Sequence, residues 1–523
     1  MTDHARYVAC SACCVMFLVA FEPNVATAEP TVMWTQYGVA NETLKLTAHT
    51  DADPLAPTTA EVELWFEADG QWSLVATEAV NPMTAMAAFR IEPWDSRQSR
   101  EYRVQCGSSQ WSGVVRAEPE RDSGTLRLMA IACVKDQFFP QANAVAQTVS
   151  QDPDLVFFAG DQIYESNAGG EIVIARTEDD LAPAMANYLA KWRRFGLMFR
   201  DLLKDRPSIM ITDDHDVYAD DLWGRGGLRM VGERTNGGYP MHPSWVNAVE
   251  QTQTWHLPDP ANPGPWGDGI RAYFTSLDYG GVQFAILEDR KFKSAPGEVL
   301  SAPVSKPGAS EPNQTLEVIE DPDFDVTKID HPDLQLLGEA QERFVGQWAE
   351  RVARNRQLAA VLNQSPYANV GNYDRDFGDM DSNGWPQSAR NRALRAIAPS
   401  KAVMIAGDIH YGTIFQHGID EWGDGPWSFS VPAFTSPQNR TWNPRRPAAG
   451  GEVPGVEGSG NHYDRFGNRL TLTAKADGLQ GYGMIRFDKD RHQITLQLYT
   501  FDADREPKQI DVPGWPKRIE VQH

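Results

Sequence analysis

Cysteine is scarce in this chain of 523 residues: of five, Cys10, Cys13 and Cys14 lie near the N-terminus and only Cys106 and Cys133 follow. Two thiols cannot staple a fold, so a disulfide framework is excluded and a compact core must hold the chain together. A Cys106–Cys133 bridge and a metal-binding thiolate at Cys133 both stay open. Positive charge is also in short supply: 48 Lys+Arg face 71 Asp+Glu, for a net charge of -23 and a pI near 4.9. That balance argues against a basic groove that tracks nucleic-acid phosphates. Long apolar runs are missing beyond the N-terminus, so no later stretch reads as a bilayer span, and no internal repeat is found.

Residues 1–28 are expected to form a signal peptide, because Arg6 precedes the apolar stretch Val8–Phe21 and Ala26-Thr27-Ala28 has the small-residue pattern of a cleavage site. The n-region has no Arg-Arg pair, which points to the general secretory route and a periplasmic or extracellular protein.

Residues 31–120 read as all β. Leu44, Leu46 and Ala48 alternate with polar residues, as do Val62, Leu64 and Phe66, and Tyr102, Val104 and Cys106. A β-sandwich of the fibronectin III or immunoglobulin type is expected there, acting as a packing or spacing domain, with Glu118–Gly124 as its linker.

From Thr125 the rhythm becomes α/β, and a catalytic domain is expected over 125–510. Strands are predicted at Leu126–Val134, Asp154–Ala159, Ser208–Thr212, Val282–Leu287, Leu358–Leu362 and Ala402–Ala406. Helices are predicted at Gln141–Val149, Leu181–Lys204, Ala340–Asn355 and Ser388–Ile397, and a hairpin, Tyr482–Phe487 with Ile494–Phe501, closes the chain. Trp223–Gly269 has little periodicity and reads as a lid or substrate rim; Pro312–Pro332 reads as solvated acidic surface. His242, His256, His417 and His462 read as loop residues, most of them on the surface, with His242 or His462 as a candidate for the rim of the cleft.

Strand ends are where an open α/β sheet collects its chemistry. Here they carry Cys133, then Asp161 and Tyr164, then Asp213, Asp214, His215 and Asp216, then Asp408 and His410. One acidic exit is an ordinary turn or helix cap. Hard oxygen donors combined with imidazole, phenolate and thiolate suit several cations, one of them iron or zinc and the others Ca, Mg or Mn. Two such cations can ionise a water and clamp the apical oxygens of an in-line displacement at phosphorus. Arg290, whose fork matches two oxygens of one group, is the candidate for gripping the phosphoryl oxygens.

Gly160-Asp161-x-x-Tyr164, Asp213-Asp214-His215-Asp216, the Asp289–Lys293 run and Gly407-Asp408-x-His410 together resemble the PhoD-type alkaline phosphatases. The resemblance implies a four-layer αββα metallophosphatase core with an N-terminal β-sandwich, and iron (Fe3+) working with calcium, for which Zn, Mn or Mg would be substitutes. It implies Cys133, Tyr164 and His410 as ligands of the iron-like ion, Asp161 as the bridge, and Asp214 at a position where calcineurin-like relatives carry Asn. His215 then stands as leaving-group acid, and Asp408 binds a second cation near Asp213. Where the family has an Asn ligand this chain reads Asp220-Asp221, and Asp221 or its neighbour Asp220 is expected to replace it. The function implied is hydrolysis of small phosphoesters by a metal-bound hydroxide, with monoesters, diesters and cell-wall polymers all open as substrates. The alternatives are a non-catalytic calcium-binding surface module, or a metal-dependent hydrolase of another ester class.

Overall fold

The computed structural model describes residues 29–56, 58–136, 142–371, 377–436, 438, 440–444, 446–501 and 506–522; the expected signal peptide lies outside them. Two antiparallel sheets open the described chain. One has the order Val32–Ala40, Thr43–Thr50, Met86–Ile91, and the other Gln71–Ala79, Glu61–Ala68, Arg100–Cys106, Ser109–Val115. The two-residue period sends Leu44, Leu46, Val62, Leu64, Tyr102 and Val104 inward, all fully buried. This unit shares one continuous core with the helix Leu181–Leu203. Trp34 meets Trp192 edge-on at 6.0 Å, and Gly196 is required there because a Cβ would fall 2.3 Å from the Trp34 ring.

From Thr125 two larger sheets follow. The first has the order Ser208–Met210, Leu155–Phe158, Thr125–Ile131, Gly481–Asp488, Gln493–Phe501, Pro507–Gln509, and Lys517–Glu520 also pairs with Gln493–Phe501. Its first three strands are parallel and aim their carboxyl ends at one edge. The second has the order Thr275–Tyr279, Val282–Ile286, Ala359–Leu362, Val403–Ala406, Trp427–Ser430, Gly412–His417, Arg469–Ala476, Gly460–Tyr463, parallel from its second strand to its fifth.

Three apolar cores lie between these layers. Leu155 and Phe157 face the second sheet, where Phe284, Ile286, Leu362 and Ile405 meet them. Val156 and Phe158 face the other way, and Phe195 and Phe199 of the Leu181–Leu203 helix each meet the Phe158 ring at 5.2 Å. The strand is therefore apolar at every position because both faces are covered. Truncating Phe199 to Ala at such a contact costs about 3–5 kcal/mol. The far side of the second sheet is covered by the helices Gly338–Asn355 and Gln387–Ile397, through Trp348, Val352, Leu394 and Ile397.

Several expectations need correction. Inside Trp223–Gly269 stands the helix Pro243–Thr254, started by Pro at its first turn and by His242, whose side chain accepts from the Ser244 N–H. Its buried face mixes Trp245 and Val249 with Thr252 and Gln253, which blurs the periodicity. Pro312–Pro332 is not merely solvated: Glu317, Ile319 and Ile329 are buried, and Val318–Ile319 pairs with Gly378–Asp379. His256 and His417 are buried; desolvation pulls His256 down to about 3, and burial and the neighbouring Arg390 pull His417 well below the usual histidine range. Cys106 and Cys133 are both free thiols.

Candidate metal centre

The exits of Thr125–Ile131, Leu155–Phe158, Ser208–Met210 and Val403–Ala406 converge on a cavity of about 180 Å³ lined by Asp161, Asp214, His215, Asp220, Asp221, Asp379, Asp381, Asp408 and His410, with Asn369, Ser382, Gln438 and Arg440. The chain bends hard to get there. Cys133, Asp161, Asp221, Asp408 and His410 all have φ between 52° and 65°, a left-handed conformation uncommon outside glycine. Strain of this kind costs on the order of 1–3 kcal/mol per residue and persists where surrounding structure enforces it. Gly160, at φ 95°, leaves the room: a Cβ there would lie 2.5 Å from that of Asp213.

Asp216 ties two exits together. It is fully buried and accepts from the backbone N–H groups of Asp161 (2.8 Å), Asp213 (2.9 Å) and Ile163 (3.2 Å), and from Gln253 Nε2 (3.0 Å). Gln253 belongs to the helix Pro243–Thr254, so that segment supports the site from behind. Among the described residues, none between 223 and 269 lines the cavity, contrary to the expected lid.

The inner part gathers Cys133, Asp161, Tyr164 and His410. Tyr164 Oη donates to Asp161 Oδ2 at 2.9 Å and lies 3.1 Å from His410 Nε2. His410 Nδ1 lies 3.1 Å from the Ser436 carbonyl oxygen, which can only accept; the proton is therefore on Nδ1 and the Nε2 lone pair faces inward. Burial, followed by the negative charge of Asp161, holds the Cys133 thiol and the Tyr164 phenol well above their usual ranges. A cation among them would reverse that balance and favour thiolate and phenolate.

The outer part is carboxylate. Donor atoms of Asp213, Asp214 and Asp408 lie within 4.8 Å of one another, as do those of Asp214, Asp221 and Asp381, and of Asp161, Asp214 and His215. Burial raises Asp161, Asp213 and Asp221 well above the carboxylate range, and Asp214 to about 6. Asp408 differs: burial pushes it up, but Arg290 and Ser365 more than cancel this and its pKa ends low. Asp220 is exposed on the rim, its Oδ1 3.8 Å from His215 Nε2, whereas the Asp221 N–H donates to Asp214 Oδ2 at 2.9 Å.

The donor set fits metal ions. Asp161 Oδ1 and Asp213 Oδ2 are buried with no hydrogen-bond partner among the described residues; donor atoms of Cys133, Asp161 and His410 lie within 4.8 Å of one another, and Tyr164 Oη touches Asp161 and His410, so that thiol and phenol stand behind the cavity wall.

Arg290 sits elsewhere than the sequence suggests. It is 1% exposed and does not line the cavity; its guanidinium meets Asp213 (2.7 Å), Asp381 (2.5 Å) and Asp408 (3.1 Å). It braces carboxylates, and its buried Nη2, ion-paired with Asp408 at 3.1 Å, makes no hydrogen bond among the described residues. Neither His242 nor His462 lines the cavity: His242 caps a helix, and His462 packs on Trp442 at 5.5 Å.

Sequence reasoning missed Glu165, Asp379, Asp381, Asn369 and Arg440. Glu165 Oε2 lies 2.8 Å from His215 Nδ1. Asp379 and Asp381 stand in a run, Gly378-Asp-Met-Asp-Ser-Asn-Gly384, that has the composition of an ordinary turn.

A metal-dependent phosphatase is the class of protein that this fold and this donor set define. The family model of the PhoD-like phosphatases matches residues 128–480. The chain belongs to that family, and the reading as a non-catalytic calcium-binding module falls with it. Among solved structures, one of PhoD is similar over 92% of this chain and 88% of its own, with a TM-score of 0.62 at 15% identity, a likeness of fold. A dimetal phosphatase from Danio rerio aligns over 74% of this chain and 99% of its own, with a TM-score of 0.34 at 11% identity. No curated protein sequence matches the chain.

Proposed function

We propose that this protein is an exported phosphoester hydrolase whose inner pocket, Cys133, Tyr164, His410 and Asp161, holds iron as Fe3+, and whose outer carboxylates, Asp213, Asp214, Asp221 and Asp408, joined by Asp381, hold calcium. One observation carries this reading: the donor groups overlap. Asp161 belongs both to the group with Cys133 and His410 and to the group with Asp214 and His215, and Asp214 belongs to both remaining groups. Carboxylates shared in this way suit bridging ligands between neighbouring cations. Donor chemistry supports the metals, since thiolate, phenolate and imidazole suit a transition metal and all-oxygen clusters suit calcium.

Bound metal ions would supply charge neutralisation at phosphorus and an activated water for in-line attack. The chain's own residues do the rest. Asp216 fixes the two strand exits relative to each other, and Arg290 gathers Asp213, Asp381 and Asp408 around one guanidinium and offsets their mutual repulsion. Glu165 orients His215, which leaves Nε2 on the cavity side to hand a proton to the departing alkoxide. Burial pulls His215 down, but without metal Asp161, Asp214 and Glu165 together outweigh it and hold its pKa well above the usual range; cations on Asp161 and Asp214 would weaken the first two contributions and leave Glu165 as the group that favours the proton.

The same reading takes the helix, two sheets and helices from Thr125 onward as a four-layer αββα catalytic domain, extended beyond 510 to include Lys517–Glu520, and the sheets within 31–120 as a β-sandwich domain that shares a core with it. Phosphomonoesters, phosphodiesters and sulfate esters assayed side by side, before and after chelation and with iron and calcium restored, test the proposal. Hydrolysis of phosphoesters that chelation abolishes and the two metals restore is expected; equal turnover of sulfate esters, or activity indifferent to metals, would overturn it.

A further inference from the structure

None of the described residues between 31 and 120 lines the metal cavity, but one side chain of that unit is tied to the frame behind it. Gln36 stands on the strand Val32–Ala40 and is fully buried. Its Nε2 donates to the Thr252 carbonyl at 3.2 Å and lies 3.1 Å from His256 Nδ1. Burial keeps the His256 ring neutral, and its Nε2 lies 3.1 Å from the Ser208 carbonyl oxygen, which can only accept. The proton is therefore on Nε2, and Nδ1 accepts from Gln36. One amide of the N-terminal sheets thus holds the last turn of the helix Pro243–Thr254 and, through His256, the start of the strand Ser208–Met210.

The next residue on that helix is Gln253, and all its polar atoms are used. Its Nε2 donates to Asp216 Oδ1 at 3.0 Å and to Tyr188 Oη at 3.2 Å, and its Oε1 accepts from Gln162 Nε2 at 2.9 Å. Gln162 follows Asp161 in the chain and also donates to the Ile211 carbonyl at 2.8 Å, on the exit that leads to Asp213. Gln253 is therefore joined to both strand exits, through Asp216 and through Gln162. Gln36, by contrast, leaves its own Oε1 buried without a hydrogen-bond partner among the described residues, an arrangement that costs on the order of 1–3 kcal/mol. The worth of this side chain lies in what its N–H groups hold.

We propose that Gln36 is a positioning residue of the metal centre: by fixing the end of the helix it keeps Gln253 on Asp216 and Gln162, and so keeps Asp161 and Asp213 where cations bind. The N-terminal unit is then a working part of the centre, beyond the packing or spacing role that its sequence suggests. The proposal rests on the reading of Asp161 and Asp213 as metal ligands. Removing a group that orients a metal ligand lowers metal affinity or activity by about 10- to 100-fold, and a group further out acts more weakly.

The test uses the full chain loaded with iron and calcium. Gln36→Met keeps the length of the side chain and removes its donors; calcium titration, kcat, KM and thermal unfolding are read on the same preparation. Calcium binding weakened by about three- to tenfold and kcat lowered by about as much, with KM unchanged, are expected. Thr35→Val is the control: it removes a buried hydroxyl of the same strand, bonded to Tyr102 Oη at 2.5 Å within the same unit, and should leave calcium affinity and kcat at wild type whatever stability it loses. Gln253→Met alone should act more strongly than Gln36→Met, and the two combined should do no more than Gln253→Met by itself. Wild-type calcium affinity and kcat in Gln36→Met overturn the proposal, as do equal losses in Thr35→Val or losses that multiply in the double variant. If Gln36→Met fails to fold, Gln36→Asn, whose shorter side chain draws the amide back from Thr252, decides on the same readouts. Wild-type protein that binds no metal and hydrolyses no phosphoester overturns the functional reading instead, an outcome separate from any difference among the variants.

Discussion

The inner pocket around Cys133, Tyr164 and His410 and the outer aspartates around Asp221 and Asp381 share a cavity and yet are held in different ways. The inner ligands come directly off strand ends and are buried; three of the four, Cys133, Asp161 and His410, are bent into left-handed backbone. Of the outer ones, Asp213, Asp214 and Asp408 also follow strands, and Asp408 and Asp221 share the left-handed backbone; Asp221 and Asp381 stand on turns, and Asp221, with 29% of its side chain exposed, is held by Arg234, which in turn pairs with Glu317 at 2.8 Å. A site built on strands is set by the packing of the sheet, whereas one built on turns is set by charges that neighbouring loops supply. Identity of the inner metal should therefore follow donor chemistry, and affinity for the outer ones should respond to distant loop residues.

Removing the carboxylate common to both parts gives the largest expected effect. Asp161→Asn should lower kcat by more than about a thousandfold and empty both parts of metal, as read by steady-state kinetics and elemental analysis. His215→Asn touches the proton and not the ions: kcat should fall by about 10²- to 10⁴-fold with metal content unchanged, and the loss should shrink for substrates with better leaving groups. Glu165→Gln keeps the shape and weakens the hold on His215; about 10- to 100-fold in kcat, with little change in KM, is the expected outcome. Arg234→Ala separates the two parts most finely, because it should weaken calcium by about tenfold while iron stays, measured by calcium titration of the purified variant.

Much of the inner pocket was legible because its residues sit at the ends of apolar runs. Leu155–Phe158 ends in Gly160-Asp161, and the strand reading brings Asp161 and Tyr164 with it. Asp213, Asp214 and Asp408 followed from the same logic at two other strands. The surroundings of Arg290 were not legible, because sequence shows that a guanidinium follows a strand but not that three carboxylates meet it. Asp381 and Arg440 were invisible for a different reason: each lies on a loop that follows a short strand, Gly378–Asp379 in one case and Trp427–Ser430 in the other. Glu165 hid in plain view beside Tyr164, since its partner is fifty residues away.

Elemental analysis of the purified protein, with its visible absorption spectrum and that of Tyr164→Phe, tests the central claim most directly. Iron together with calcium in the wild type, and a broad visible band that Tyr164→Phe abolishes, is the result expected of a tyrosinate on Fe3+. Calcium alone with no visible band, or a band unchanged in Tyr164→Phe, would contradict the division of the site into an inner transition-metal pocket and an outer carboxylate cluster.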